Sequence, residues 1–238
     1  MIKLGVSGAR GRMGQRIIAL AKQDKDLEVI FGLERSGHPD IGKTIDGILI
    51  SDDISQIANC DCLIDFSSPA AAEEHVAALT EFKKSTVIGT TGLDESQQEK
   101  IKQASTQVPI IFAPNMSVGV NLMFNLLKSA AKILKGYNVE IEEAHHIHKK
   151  DSPSGTAKKI AQIINQQGFD IKIDEIKAIR EDEIIGDHKV VFESATDKIE
   201  ISHSAKTRDI FAQGAIVAAK WLSKKRSGLY SMDDVLFE

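Results

Sequence analysis

Five short apolar runs, spaced by helical periodicity, set the tightest limit on what the first half of this chain can fold into. The runs are IKLGVS (2–7), LEVIFGLE (27–34), CLIDFS (62–67), STVIGTT (85–91) and VPIIFAP (108–114). GQRIIALAKQ (14–23) and the stretches 69–83 and 94–106 carry apolar residues at helical spacing. Strand, helix, strand at this interval predicts a parallel sheet with helices on both faces. Such sheets bind ligands outside the carboxyl ends of their strands, where this chain places turn-forming residues.

The texture changes after Asn115. A long helical pattern (117–136) is followed by NVEIEEAHH (138–146), IKIDEIKAIR (171–180), KVVFES (189–194) and KIEISHSA (198–205). These alternate polar and apolar residues, which predicts a mixed or antiparallel sheet with one wet face. A helix is expected over 154–167 and another over 208–225. The boundaries follow: 1–116 with 207–238 as one domain, 117–206 as a second. No tract of 18 apolar residues suggests a membrane span, and the start shows no apolar signal region. Cys60 and Cys62 read as buried, reduced thiols, so the chain is expected to be cytoplasmic. The formal net charge of −4 argues against nonspecific nucleic-acid binding.

Gly8, Gly11 and Gly14 in VSGARGRMG stand directly after the first strand. A tight turn, close backbone approach to a pyrophosphate and helix–strand packing each call for glycine. The helix behind the turn would aim its N-terminal amides at phosphate, with Arg10 and Arg12 nearby. Glu34, at the end of the second strand, stands where an acid meets the ribose of NAD. Arg35 next to it suits the 2′-phosphate of NADP. The first domain is thus read as Rossmann-like. GTTG (89–92) and APNMS (113–117) end later strands and are candidates for the nicotinamide pocket.

EEAHHIHKKDSPSGTA (142–157) holds the remaining chemistry. A metal site is one reading, because His146 and His148 would share a face of a strand. A solvated charge run is a second. The third is catalytic: a histidine and a lysine for proton transfer, then DSPSGTA as a helix start. Pro153 fits the first helical position with Ser152 as its cap. The amides of Ser154, Gly155 and Thr156 would form an anion cradle. Together with a hydride donor this describes a reductase of a small carboxylate.

That stretch resembles the signature of the 4-hydroxy-tetrahydrodipicolinate reductases, formerly called dihydrodipicolinate reductases. The similarity extends to GARGRMG, ER (34–35), IDFS (64–67), GTTG, NMSVGVN, REDEIIGDH and DIFAQGAI, in order along nearly the whole chain. The resemblance implies an NADPH- or NADH-dependent reduction of a cyclic dicarboxylate, with loss of water, toward diaminopimelate and lysine. It implies His145 as acid–base group and Lys149 as proton donor, with no metal. His146, Ser154, Gly155 and Thr156 would bind substrate. Gly8, Ala9, Arg10, Gly11, Arg12, Met13, Glu34, Arg35, Gly89, Thr90, Thr91, Ala113, Pro114, Asn115, Met116, Arg208 and Phe211 would face the cofactor. It also implies a homotetramer built through the second domain's sheet, making that α+β domain one for substrate and oligomerisation. Met116 departs from the family pattern, where an aromatic is frequent, and Ser204 stands where a basic residue is common. Two rivals remain: another two-domain NAD(P) dehydrogenase, which would want a catalytic cysteine or a different basic motif, and a nucleotide-sensing protein without chemistry.

Overall fold

The computed structural model describes residues 1–237 and divides into two compact units, Met1–Val118 with Asp209–Glu238, and Gly119–Arg208. The first unit begins with β1 (Ile2–Ser7), α1 (Arg12–Ala21), β2 (Leu27–Leu33), β3 (Thr44–Ile45) and β4 (Ile48–Ser51). A 3-10 turn (Ile54–Asn59) leads to β5 (Cys62–Asp65), α2 (Pro69–Phe82), β6 (Ser85–Ile88), α3 (Glu95–Ser105) and β7 (Pro109–Phe112). The second unit contains α4 (Val118–Ile133), β8 (Asn138–His145), α5 (Gly155–Asn165), a 3-10 turn (Ile173–Glu175), β9 (Lys177–Arg180), β10 (Asp187–Glu193) and β11 (Lys198–Ser204). The chain then completes the first unit with α6 (Asp209–Leu222), β12 (Gly228–Tyr230) and α7 (Met232–Phe237).

The first unit's sheet runs β12-β7-β6-β5-β1-β2-β4-β3, parallel except for the β3–β4 pair. Strand order reverses at β1, which pairs with β2 on one side and β5 on the other. That reversal leaves a crevice at the carboxyl ends, the usual ligand position in such sheets. Each helix start has its own local cause. Ser68 caps α2, accepting from the Ala71 amide at 3.3 Å, with Pro69 at the first helical position. Asp94 and Gln97 form a reciprocal capping box on α3. The α1 face of Gly14, Ile17, Ile18 and Ala21 is buried. With Ala212, Ala215 and Ala219 of α6 it belongs to one core that also holds Leu4, Val6 and Ile64. The other sheet face packs Phe31, Leu63 and Leu79, and beside them Val76, Ile88 and Ile101. Helices thus cover both faces, as the alternation predicts.

In the second unit the sheet order is β11-β10-β8-β9, with β8–β9 parallel and the other pairs antiparallel. Its core joins Leu127 of α4 and Ile160 and Ile164 of α5 to Ile141, Val190 and Phe192 of the sheet. The sheet is mixed, one of the two expected forms.

Two expectations change. Residues 171–180 do not form one strand. Asn165 takes both backbone groups of Ile171 at 2.8 Å, and Glu175 accepts from the Lys172 amide at 3.0 Å. Those local bonds use groups that a ladder would need, so the strand begins only at Lys177. The β3–β4 hairpin, outside the five runs, turns on Asp46-Gly47, both at positive φ. That dipeptide is a hairpin signal in its own right.

The β1–α1 turn is the tightest point of the first unit. A Cβ at Gly14 would lie 2.1 Å from the Gly8 carbonyl oxygen and 2.7 Å from the Ala9 Cα, both backbone. Gly14→Ala is expected to destabilise the first unit by about 1–3 kcal/mol, read as a lower denaturant midpoint with unchanged slope. An unaltered midpoint would mean that the turn relaxes freely.

Candidate active site

In the first unit, Gly8 sits at φ +70°, and a Cβ there would lie 2.4 Å from the Phe66 carbonyl oxygen. The turn's amides are largely engaged. Gly8 and Ala9 donate to the Leu33 carbonyl at 3.0 and 3.2 Å, Gly11 to the Gly8 carbonyl at 2.9 Å, and Arg10 to Glu34 Oε1 at 2.7 Å. Gly11 caps α1 with no side chain, so the amides of Arg12 and Met13 have no capping side chain between them and a ligand at the helix start. These features fit a dinucleotide phosphate. A cavity of about 480 Å³ opens at the carboxyl ends of β1, β2 and β5, lined by Gly8, Glu34, Arg35, Ser67, Ser68 and His75 among others.

Of the residues expected to face a cofactor, Gly8, Glu34 and Arg35 line that cavity, while Ala9 and Arg10 line a separate pocket beside α1. The Arg10 guanidinium is held by Asp40 at 2.8 Å, so its charge is already partnered, whereas Arg12 is exposed. Met13 packs against the core. Thr90 turns inward: its hydroxyl meets Asp65 Oδ1 at 2.8 Å and accepts from the Ser67 amide at 3.0 Å. Gly89 lies against the Phe66 ring, Thr91 is exposed, and Ala113 and Met116 are buried. Pro114 is exposed, and Asn115 Oδ1 accepts from the Ser117 amide at 2.9 Å. Phe211 is half-buried in the first turn of α6, and Arg208 ends the second unit.

Asp65 and His75 did not emerge from the sequence. Asp65 is buried at the end of β5 and meets His75 Nδ1 at 2.6 Å, the Ser67 amide at 2.9 Å and the Ser67 hydroxyl at 2.6 Å. Burial works to raise its carboxyl pKa, but the bonds from His75, Ser67 and Thr90 outweigh that and hold it below the ordinary range. The network fixes the loops after β5 and β6 at the cavity rim.

In the second unit the strand β8 ends at His145, which is buried. Its Nδ1 is hydrogen-bonded to Glu143 Oε2. Glu143 has no exposed surface and accepts on Oε1 from the Ser154 amide at 3.1 Å and from Arg180 at 2.9 Å. The sequence carried a signal for this partner: residues two apart on a strand share a face. Lys149 lies four residues after His145, its Nζ 2.8 Å from Asp151. His146 and His148 lie beyond the strand, their ring centroids 6.3 Å apart. The shared-strand-face argument for a metal pair therefore does not apply to them.

The helix start shifts by two residues from expectation. Ser154, not Ser152, caps α5 and accepts from the Ala157 amide at 3.2 Å. Pro153 precedes the cap, joined to Ser152 by a cis peptide bond. Gly155 and Thr156 open the helix, so their amides belong to its first turn. His188 of β10 is buried, 3.3 Å from the Ser154 hydroxyl and edge-on to His145 with centroids 5.3 Å apart. Burial chiefly, then the neighbouring His145, lowers its pKa to about 4. Burial also lowers His145, opposed by Glu143.

Cys60 and Cys62 are buried free thiols, pushed up by burial to about 11 and about 12. Thiols so reluctant to ionise make poor nucleophiles, which removes the feature a cysteine-dependent dehydrogenase would need. No helix among the described residues is long and apolar enough to cross a membrane.

A parallel sheet with a glycine turn at a helix start, and a second unit in which a buried carboxylate–histidine pair meets a helix cap, are the features of a class: the dinucleotide-dependent oxidoreductases. Comparison with known proteins narrows it. Residues 2–116 match the family model described as dihydrodipicolinate reductase, N-terminus, and residues 119–236 match that of the C-terminus. The chain belongs to the dihydrodipicolinate reductase family. It is 42% identical to the 4-hydroxy-tetrahydrodipicolinate reductase of Aquifex aeolicus, covering 99% of this chain and 98% of that one. With the enzyme of the same name from Citrifermentans bemidjiense it shares 39% identity, covering 99% of both. In fold it resembles a dipicolinate-bound dihydrodipicolinate reductase from Paenisporosarcina sp. TG-14, with a TM-score of 0.83 at 23% identity over 97% of each chain.

The low pKa of His188 gives a pH test of the second unit. The unfolded chain takes up this proton near 6.5, while the fold refuses it until about 4. Its contribution to stability is therefore complete above pH 6.5 and is lost as pH falls through that window. Urea midpoints measured at pH 7 and pH 5 should fall more in the native chain than in His188→Gln. Equal falls would place the titration elsewhere.

Proposed function

We propose that this chain catalyses the reaction its relatives are named for, the NAD(P)H-dependent reduction of 4-hydroxy-tetrahydrodipicolinate to tetrahydrodipicolinate with loss of water. The step lies on the diaminopimelate route to lysine. The observation that carries this reading is the buried Glu143–His145 pair, bonded to the Ser154 cap of α5 and followed four residues on by Lys149, in a chain whose other unit has a dinucleotide turn.

The roles follow from the chemistry. Loss of the hydroxyl leaves a conjugated imine, and a bound dihydronicotinamide supplies a hydride to it. The electron pair displaced into the ring must then be met by a proton. Lys149 delivers that proton, and His145, through Nε2, is the acid–base group beside it. The substrate's two carboxylates need fixed donors. His146 and the first-turn amides of α5 at Gly155 and Thr156 supply them, where the helix dipole favours negative charge. Ser154 serves through its place as cap.

On the first unit, Gly8, Gly11 and the amides of Arg12 and Met13 hold the phosphates, and Glu34 and Arg35 stand at the adenosine ribose. Arg35 is exposed, and its planar fork suits bidentate contact, so it is the residue expected to read a 2′-phosphate. Gly89–Thr91 and Ala113–Met116 contribute backbone to the nicotinamide side. The homotetramer implied by the resemblance belongs to the same proposal. A sedimentation mass of one chain would overturn it.

Two variants test the assignments. Lys149→Ala is expected to fold and bind cofactor normally yet lose turnover by on the order of 10²-fold or more, followed as NADPH oxidation with substrate generated in place. Full turnover in that variant would overturn the role. Arg35→Ala should weaken NADPH more than NADH in a direct binding titration. Equal losses would assign the guanidinium to adenine stacking alone.

A further inference from the structure

The buried carboxylate behind His145 has no part in the transfer steps above, yet it is the most enclosed charge in the second unit. Glu143 has no exposed surface, and three donors converge on it: His145 Nδ1 on one oxygen, the Ser154 amide and Arg180 on the other. Arg180 also donates to the Asp151 carbonyl at 2.6 Å. One carboxylate therefore joins the end of β8, the loop that carries Lys149 and Asp151, the start of α5 and β9.

We propose that Glu143 is a positioning residue of the reaction, holding the His145 ring as the tautomer with its proton on Nδ1 and its Nε2 bare, and fixing that ring against the α5 anion cradle. The proposal rests on the reading of His145 as the acid–base group. An ionised carboxylate can only accept hydrogen bonds. Hydrogen bonds from Arg180, His145 and Ser154 hold Glu143 below the ordinary carboxylate range despite the opposing cost of burial. The proton in the shared bond must then belong to the ring, and the bond made by one ring nitrogen decides the state of the other. The other nitrogen lies beside Gly186, where a Cβ would come within 3.1 Å of Nε2, so the glycine keeps a side chain off that side of the ring.

An amide in place of the carboxylate cannot accept on both sides. Gln at 143 must turn its NH2 either toward His145 or toward Ser154 and Arg180, so one of the two attachments is lost. It also removes the negative charge that acts on the ring to raise its pKa. The other groups facing it are Arg180 on β9, Lys149 in the following loop and His188 edge-on from β10. The two cations lower the His145 pKa, and Glu143 opposes them.

The test uses the full chain with ¹⁵N-labelled histidine and long-range proton–nitrogen spectra of the rings, assigned with a His145→Asn control. In the native chain neutral His145 should carry its proton on Nδ1. In Glu143→Gln its pKa should fall, and kcat should drop on the order of 10–100-fold, the range in which orienting partners of histidine act elsewhere, with the Kd for NADPH unchanged. A native ring protonated mainly on Nε2, or an unshifted pKa in the variant, would overturn the proposal. If Glu143→Gln does not fold, the native spectrum alone decides. Failure of the native chain to reduce the hydroxy-dicarboxylate would sink the reading of the reaction, and the spectrum would still judge Glu143.

Discussion

A carboxylate with no access to water must find its donors inside the fold, and each unit of this chain is organised around one. Asp65 closes β5 and Glu143 lies two residues from the end of β8. Each accepts from the Nδ1 of a histidine and from a backbone amide of the loop or helix start that follows. Leaving such a group unpaired costs several kcal/mol, so the loops that supply the donors cannot wander. The consequence is functional. The segments that carry chemistry in this kind of sheet are loops, and loops are the least ordered part of a domain. A buried anion at the strand end converts them into fixed elements without adding apolar mass where a ligand must enter.

The same economy appears in the glycine turn. Its amides are mostly spent on holding β1 against β2, through Leu33 and Glu34. Only the start of α1 faces outward without a capping side chain. The turn therefore acts as a bracket, fixing where the helix begins, and the phosphate-binding capacity follows from the helix terminus. Glu34 takes part in this bracket through the Arg10 amide, so the acid proposed to meet the ribose also supports the turn that precedes it.

Much of this was legible in the sequence because the period of apolar residues reports burial directly. Five of the eight strands of the first sheet, the helices at 14–23, 69–83 and 94–106 and a mixed or antiparallel second sheet are readable as pattern. The β3–β4 hairpin escaped because its strands are too short to show a period, although Asp46-Gly47 announces it. Residues 171–180 misled because alternation alone does not reveal that Asn165 will claim the Ile171 backbone. At the site, His145 and Lys149 stood out as residue types. Glu143 was hidden beside Glu142, and only strand parity separates the buried one from its half-exposed neighbour. Asp65 and His75 had no such signal, because their pairing joins a strand end to the middle of a helix. The cap at Ser154 was misplaced for a related reason: Ser152 and Ser154 both satisfy the local preference, and the bond from Ser154 to Glu143, eleven residues back, decides between them.

That choice of cap bears on the chemistry. Because Ser154 is held by Glu143 through its amide and by His188 through its hydroxyl, the first turn of α5 is registered against the His145 ring. A ligand anion at that turn would bring negative charge close to an imidazole whose pKa burial lowers. Opposite charge favours the protonated form of a histidine, so on the proposed reading an arriving dicarboxylate pushes the His145 pKa upward, against the lowering by burial, Lys149 and Arg180. On that reading, proton uptake at His145 would be coupled to an anion at the start of α5 without movement of the backbone, because one buried carboxylate holds both the ring and the Ser154 amide.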